Sequence, residues 1–124
     1  MSMTPVQNDV RNLDDLRERL RRFAADRDWE QFHSPKNLSM ALIAEAAEVV
    51  EHFQWLTDAE SRSLAPEKRA AIEHELADVL IYLVRLADKL EIDLLKAATW
   101  KLADNIDKYP AGLVKGSSKK YTDY

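Results

Sequence analysis

Cysteine is absent from the chain, which excludes disulfides, thiolate zinc sites and cysteine nucleophiles before any motif is considered. Its absence also accords with a reducing compartment. Glycine occurs only 2 times and proline 4. With so few turn-forming residues the backbone has few places to reverse sharply, which favours long helices over a many-stranded sheet. No apolar run approaches the ~20 residues needed to cross a bilayer. The opening stretch MSMTPVQNDV has no basic segment leading into an apolar one, so no secretion signal is read. The cytoplasm is the expected location, without a membrane partner. Basic residues are in deficit: 18 against 22 acidic ones give a formal net charge of −4. That balance argues against a surface tracking nucleic-acid backbone, but leaves room for one phosphorylated ligand whose charge a metal offsets. P-loop, dinucleotide-binding and His-Glu-x-x-His patterns are all missing. No Ser or Thr has a recognisable His–acid partner, so covalent catalysis has no support.

What is present suits one all-α domain over residues 1–124 with a modest core. Val10, Leu13, Leu16, Leu20, Phe23 and Ala24 recur at helical spacing and predict a first helix over 10–25. The aromatic-rich stretch DRDWEQFHSPKN breaks the period, and Ser34-Pro35 offers a cap and a first-turn proline. A second helix is predicted from about Lys36 to Trp55, with Leu38, Leu42, Val49 and Phe53 on one face and Ala46 beside them. Thr57 to Leu64 reads as a polar loop. The third helix, about Pro66 to Leu90, carries a main stripe of Ile72, Leu76, Val79, Leu83, Leu86 and Leu90. Ala77, Leu80, Ile81 and Val84 widen its apolar surface, so it must be central or meet another subunit. Asp93 caps a fourth helix, about Leu94 to Lys108, ended by Pro110 and Gly112. Four helices with short connections predict a bundle. Residues 111–124 are expected to be a flexible tail, and its Lys115, Lys119 and Lys120 form either a lid or a disordered end.

The chemistry lies in two acidic pairs. Glu45 and Glu48 fall in the second helix, Glu75 and Asp78 in the third. Each pair is spaced i, i+3, so both side chains leave one face. At 100° per residue, each pair borders the apolar stripe of its own helix. If the two stripes pack together, four carboxylates converge at one edge of the interface. Repulsion between them disfavours the fold, and partial burial pushes some to take up protons. A divalent cation removes the conflict, and Mg²⁺ suits oxygen ligands and commonly bridges carboxylates to phosphates. The ordinary explanation of one Glu-x-x-Glu is a solvated face. Two such pairs at the core borders of neighbouring helices are harder to explain that way. Glu51 continues the series but sits further from the stripe, as a supporting or surface residue. Glu30 and His33 have the Glu-x-x-His spacing of di-iron bundles, but only once and outside the long helices, so a redox di-iron centre is not expected.

Trp29, His33, Trp55 and Tyr82 stand where they can stack on a base while a metal holds phosphates; large core aromatics are the ordinary alternative. Lys101, Asn105 and Lys108 share a face of the fourth helix that can reach phosphate or sugar oxygens, or is simply solvated.

The stretches FAADRDWEQFHSPKNLSMALIAEAAEVVEHFQW, ELADVLIYLVRLADKLEIDL, KLADNIDKYP and SSKKY, in that order, resemble the MazG-type all-α nucleoside triphosphate pyrophosphohydrolases, and among them the dCTP pyrophosphatase branch. The resemblance runs from about Leu13 through Tyr121. The family's metal motif, Glu-Glu-x-x-Glu followed by Glu-x-x-Asp, corresponds here to AEAAE and ELAD. It implies that Glu45, Glu48, Glu75 and Asp78 are the metal ligands and catalytic carboxylates, with Ala44 at the first Glu position. It further implies a base pocket of Trp29, His33, Trp55 and Tyr82, nucleotide contacts from Lys101 and Asn105, and a homodimer or homotetramer. Leu20 departs from the branch, which carries a His there; a polar contact near the nucleotide is lost. The resemblance therefore implies Mg²⁺-dependent hydrolysis of a deoxynucleoside triphosphate, dCTP or a modified cytosine nucleotide first, to monophosphate and pyrophosphate, with Mn²⁺ as a substitute ion. The rivals are a house-cleaning pyrophosphatase of broad base tolerance and a non-enzymatic helical module for nucleotide sensing or oligomerisation.

Overall fold

A computed structural model describes residues 8–118 and residue 122. Lys119 and Lys120 of the expected tail lie outside the described residues. Every regular element among those described is helical: α1 (Leu13–Asp26), a 3₁₀ turn (Glu30–Phe32), α2 (Pro35–Glu51), α3 (Asp58–Ser61), α4 (Pro66–Lys89), α5 (Leu94–Lys108) and α6 (Ala111–Val114). The chain divides into two compact units, residues 1–91 and residues 92–124. The first is a helical bundle; the second holds α5 and α6.

Capping sets the helix starts. The first helix begins at Leu13, not Val10, because Asn12 competes for the terminus: its side-chain oxygen accepts from the Asp15 N–H at 2.8 Å, the bond an N-cap makes. Asp14 and Asp15 then sit favourably in the positive first turn. After α1 the backbone turns through Asp28 at φ 55°, a left-handed conformation that Asp tolerates better than most residues. The Trp29 N–H donates back to the Ala24 carbonyl at 2.9 Å, folding the aromatic segment onto the end of α1. Ser34 caps α2, accepting from the Asn37 N–H at 3.1 Å, with Pro35 in the first turn as read from the sequence. Ser34→Ala is expected to cost about 1 kcal/mol, read as a lower urea midpoint with an unchanged slope.

The second helix ends at Glu51, short of Trp55. Its exit tightens: the N–H groups of His52 and Phe53 donate to Val49 and Val50 at 3.2 and 2.9 Å, an i to i+3 pattern that unwinds the α-helix. The expected loop that follows contains α3, held by a reciprocal box. The Thr57 hydroxyl accepts from the Glu60 N–H at 3.2 Å, and the Glu60 carboxylate accepts from the Thr57 N–H at 2.9 Å. The third and fourth predicted helices appear as α4 and α5, the latter capped by Asp93 through the Lys96 N–H at 3.0 Å.

In the first unit α2 packs along α4 as the principal interface, and α1 also packs on α4. Ala24, Leu38, Ile72, Val84 and Ala87 are buried. The main stripe expected on α4 is covered only in part. Leu76 is 52% exposed and Leu83 37%, because two neighbouring long helices cannot cover a helix that is apolar on two sides. Ile43 and Val50 on α2 are also open, at 68% and 56%.

Candidate functional site

The α2–α4 pairing brings the acids together. Glu45, Glu48 and Glu75 each present a carboxylate oxygen within 4.8 Å of the others. They converge because the α2 pair and the first acid of the α4 pair border the same packed seam. One oxygen of Glu45 and one of Glu75 (Oε2 in both) are buried without a hydrogen-bond partner, a costly state for a carboxylate. Burial first, and then the adjacent Glu48 carboxylate, raises Glu45 above the ordinary carboxylate range. For Glu75 the order reverses: the interaction with Glu48 leads and burial follows. Asp78 is not one of the three that converge this closely. Its negative charge nevertheless contributes to raising both groups.

This donor set fits a hard divalent cation. It offers only oxygens, it concentrates negative charge, and two of its buried oxygens have nothing to bind. A cation would satisfy those atoms and reverse the repulsion together.

Asp78 also faces a cavity of about 280 Å³ lined by Leu20, Trp29, His33, Tyr82 and Arg85 among others, near the lower end of the ~300–1,000 Å³ typical of small-ligand clefts. Asp78 lines the cavity and its charge acts on Glu45 and Glu75, so it links the acidic cluster to the cavity. Phe23 packs edge-on against Trp29 with ring centroids 5.5 Å apart, and the His33 ring lies 6.3 Å from Trp29. Three of the four aromatic or imidazole residues singled out from sequence, Trp29, His33 and Tyr82, thus meet at one cavity. Trp55 does not line it; it follows the end of α2 and is 86% exposed. Glu51 lines a separate groove on α2 with Ile43, Ala46, Ala47, Val50 and Gln54. Lys101 and Asn105 sit one turn apart on α5 in the second unit, where Lys101 approaches Asp104 at 3.6 Å.

Sequence reasoning missed Arg85, which is only 4% exposed. Its Nε donates to His33 Nδ1 at 3.1 Å, its guanidinium pairs with Glu30, and it approaches Asp88 at 3.5 Å. Glu30 is shared with Lys89, and Asp88 accepts from Arg21 Nε at 2.7 Å. The hydrogen bond from Lys89, with that from Arg85, holds Glu30 below the ordinary carboxylate range; the bond from Arg21 does the same for Asp88. The Glu30–His33 spacing that resembles a metal motif thus serves a guanidinium. The signal was available: a lone cation in the apolar run YLVRLA, three residues before Asp88, needs buried partners.

The MazG-like family profile matches residues 41–124, which include the whole acidic constellation. Two proteins named dCTP pyrophosphatase 1, from Homo sapiens and Rattus norvegicus, are each 50% identical over 113 residues, covering 90% of this chain and 66% of theirs. The protein of that name from Bos taurus is 48% identical over 113 residues and 67% covered. The chain thus spans about two thirds of the length of the curated relatives it matches. Among solved structures, a pyrophosphatase from Archaeoglobus fulgidus superimposes with a TM-score of 0.76 at 36% identity, over 86% of this chain and 99% of that one. Among the described residues no helix is long and apolar enough to cross a membrane. A profile spanning the acidic motifs and relatives at half identity over nine tenths of the chain agree with the resemblance read from those motifs: the chain belongs to the MazG-like family.

Proposed function

We propose that this protein hydrolyses a deoxynucleoside triphosphate, with dCTP or a modified cytosine nucleotide preferred, to the monophosphate and pyrophosphate in a Mg²⁺-dependent reaction. One observation carries the reading: three converging carboxylates with two unpartnered buried oxygens stand beside an aromatic-lined cavity. The names and activities of the relatives point the same way.

Glu45, Glu48, Glu75 and Asp78 would hold the ion. Bound there, Mg²⁺ supplies positive charge against the phosphate oxygens, and Mn²⁺, which accepts the same oxygen donors, is expected to substitute. Trp29, His33 and Tyr82 line the space for the base. Trp55, Lys101 and Asn105 are assigned to nucleotide contact from the family resemblance. Water adds to the α-phosphorus while its bond to the bridging oxygen breaks, and pyrophosphate departs. Glu48, beside both strained carboxylates, takes the proton from that water. Catalysis is then positioning plus electrostatics, without a covalent enzyme intermediate. The expected setting is the cytoplasm, where the deoxynucleotide pool is found.

Leu20 favours a second reading. It places an apolar side chain in the cavity wall where the branch carries a His, and a lost polar contact relaxes discrimination between bases. Chromatographic identification of products from each canonical dNTP and NTP, with Glu48→Ala as control, separates the two. Monophosphate plus pyrophosphate formed fastest from dCTP supports the first; equal rates across bases favour broad house-cleaning. No release from any canonical nucleotide would point first to modified cytosine nucleotides, and only then to a sensing or oligomerisation module.

Assembly as a homodimer or homotetramer is part of the same proposal. It is supported by the open apolar positions Ile43, Val50, Leu76 and Leu83. Ile43→Glu is expected to shift the molar mass measured by light scattering toward a smaller species. A wild-type mass equal to one chain would overturn the assembly.

A further inference from the structure

We propose that Arg85 is a positioning residue that fixes the tautomer of His33, and so decides what that imidazole offers to a ligand in the cavity. The inference rests on the reading of that cavity as a nucleobase pocket. Arginine has donors only and stays protonated. The nitrogen that accepts from it, His33 Nδ1 at 3.1 Å, must therefore present a lone pair. A neutral ring then carries its proton on Nε2, pointing away from Arg85. Taking up a second proton would set an N–H against the guanidinium, so the arrangement also resists the imidazolium. Burial and the Arg85 charge both hold His33 below its ordinary value, with Lys89 adding to them and Glu30 opposing.

The fixing is firm because Arg85 cannot easily turn. It is nearly fully buried, and Glu30 and Asp88 hold its guanidinium. Those acids are themselves held by Lys89 and Arg21. Opposite charges thus alternate from Arg21 through Asp88, Arg85 and Glu30 to Lys89, and Arg85, at the middle of the series, donates to an imidazole in the cavity wall. A buried cation within an apolar helix is poorly explained by stability alone, since apolar replacements of buried ion pairs are often as stable. A defined hydrogen-bond donor at the cavity gives it a reason. The ligand that suits it carries an acceptor there: a ring carbonyl oxygen or an unprotonated ring nitrogen of a pyrimidine, not an N–H.

The test uses long-range ¹H–¹⁵N spectra of the intact protein labelled in its 3 histidines, with His33 assigned through His33→Gln. His33 is expected as the neutral Nε2–H form near neutral pH, and Arg85→Met should convert it to a tautomer mixture. Arg85→Lys, which keeps a donor and a charge, should restore part of the wild-type pattern. In kinetics, Arg85→Met should raise KM for the preferred nucleotide about tenfold, equivalent to about 1.4 kcal/mol, with a smaller change in kcat. Should Arg85→Met not fold, the wild-type and Arg85→Lys spectra decide. An Nδ1–H or charged His33 in the wild type overturns the proposal, as does a tautomer indifferent to Arg85. The expected spectra without turnover of any nucleotide would uphold the Arg85–His33 coupling and overturn the nucleobase reading on which its ligand assignment rests.

Discussion

Glu48→Gln is expected to reduce turnover about a thousand-fold and, in the same molecule, to raise the melting temperature of the metal-free protein. The two effects have one origin. Glu48 is the leading cause of the raised Glu75 and, after burial, of the raised Glu45. Its charge is therefore a source of strain whenever no cation is present. Gln keeps the shape and removes the charge, so repulsion at the α2–α4 seam falls. The same change deletes a proposed metal ligand and the proposed base. Losing one preorganised electrostatic group typically costs ~10²–10³ in rate, and a ligand that is also the base belongs at the upper end. Most substitutions destabilise; stability gained as activity is lost marks a site held in a strained state for function. Thermal melts in EDTA and pyrophosphate release with Mg²⁺ test both halves. Wild-type turnover in the variant would remove Glu48 from the mechanism. A lower melting temperature in EDTA would show that its charge stabilises the fold and is not a source of strain.

Much of this site was legible because helical periodicity converts sequence spacing into angle. Glu45, Glu48 and Glu75 could be placed at one seam once Leu38 and Ile72 were recognised as inward-facing, and both are buried. What periodicity cannot supply is competition between local signals. Val10 fits the apolar stripe, but the Asn12 side chain ends the helix first. Thr57 and Glu60 carried a capping-box signature that polar composition concealed. Periodicity is also blind to which neighbour covers a face, so Leu76 and Leu83, core by pattern, stand open. Arg85 fails for a further reason: its partners Glu30 and His33 lie on another segment, more than fifty residues away, and only the packed fold brings them together.

The stabilisation conferred by Mg²⁺ is expected to grow as pH rises, opposite to what Glu45 and Glu75 contribute to the metal-free protein over the same interval. Glu45 and Glu75 have folded pKa values above their ordinary value of 4.5. As pH rises through 4.5 the unfolded chain releases these protons first, while the folded chain retains them. The folded state then binds more protons, so stability falls with pH until both groups have ionised, and the loss persists above that point. Carboxylates held low act in the other sense. Asp15, Glu30, Glu60, Asp88 and Asp104 contribute stability that is present above their unfolded values and is lost as pH falls through their folded ones. The raw melting curve mixes both sets, but the difference between melts with Mg²⁺ and with EDTA isolates the groups that the ion touches. Binding requires deprotonated ligands, so this difference should be smallest at the acid end, rise as Glu45 and Glu75 ionise, and then level off. With free Mg²⁺ at a hundred times its dissociation constant the plateau corresponds to about 2.7 kcal/mol. In Glu48→Gln the plateau should shrink, because one ligand is gone and less repulsion remains to be relieved. A difference that is absent at every pH, or largest at the acid end, would mean that the buried oxygens of Glu45 and Glu75 are satisfied by protons and not by a cation.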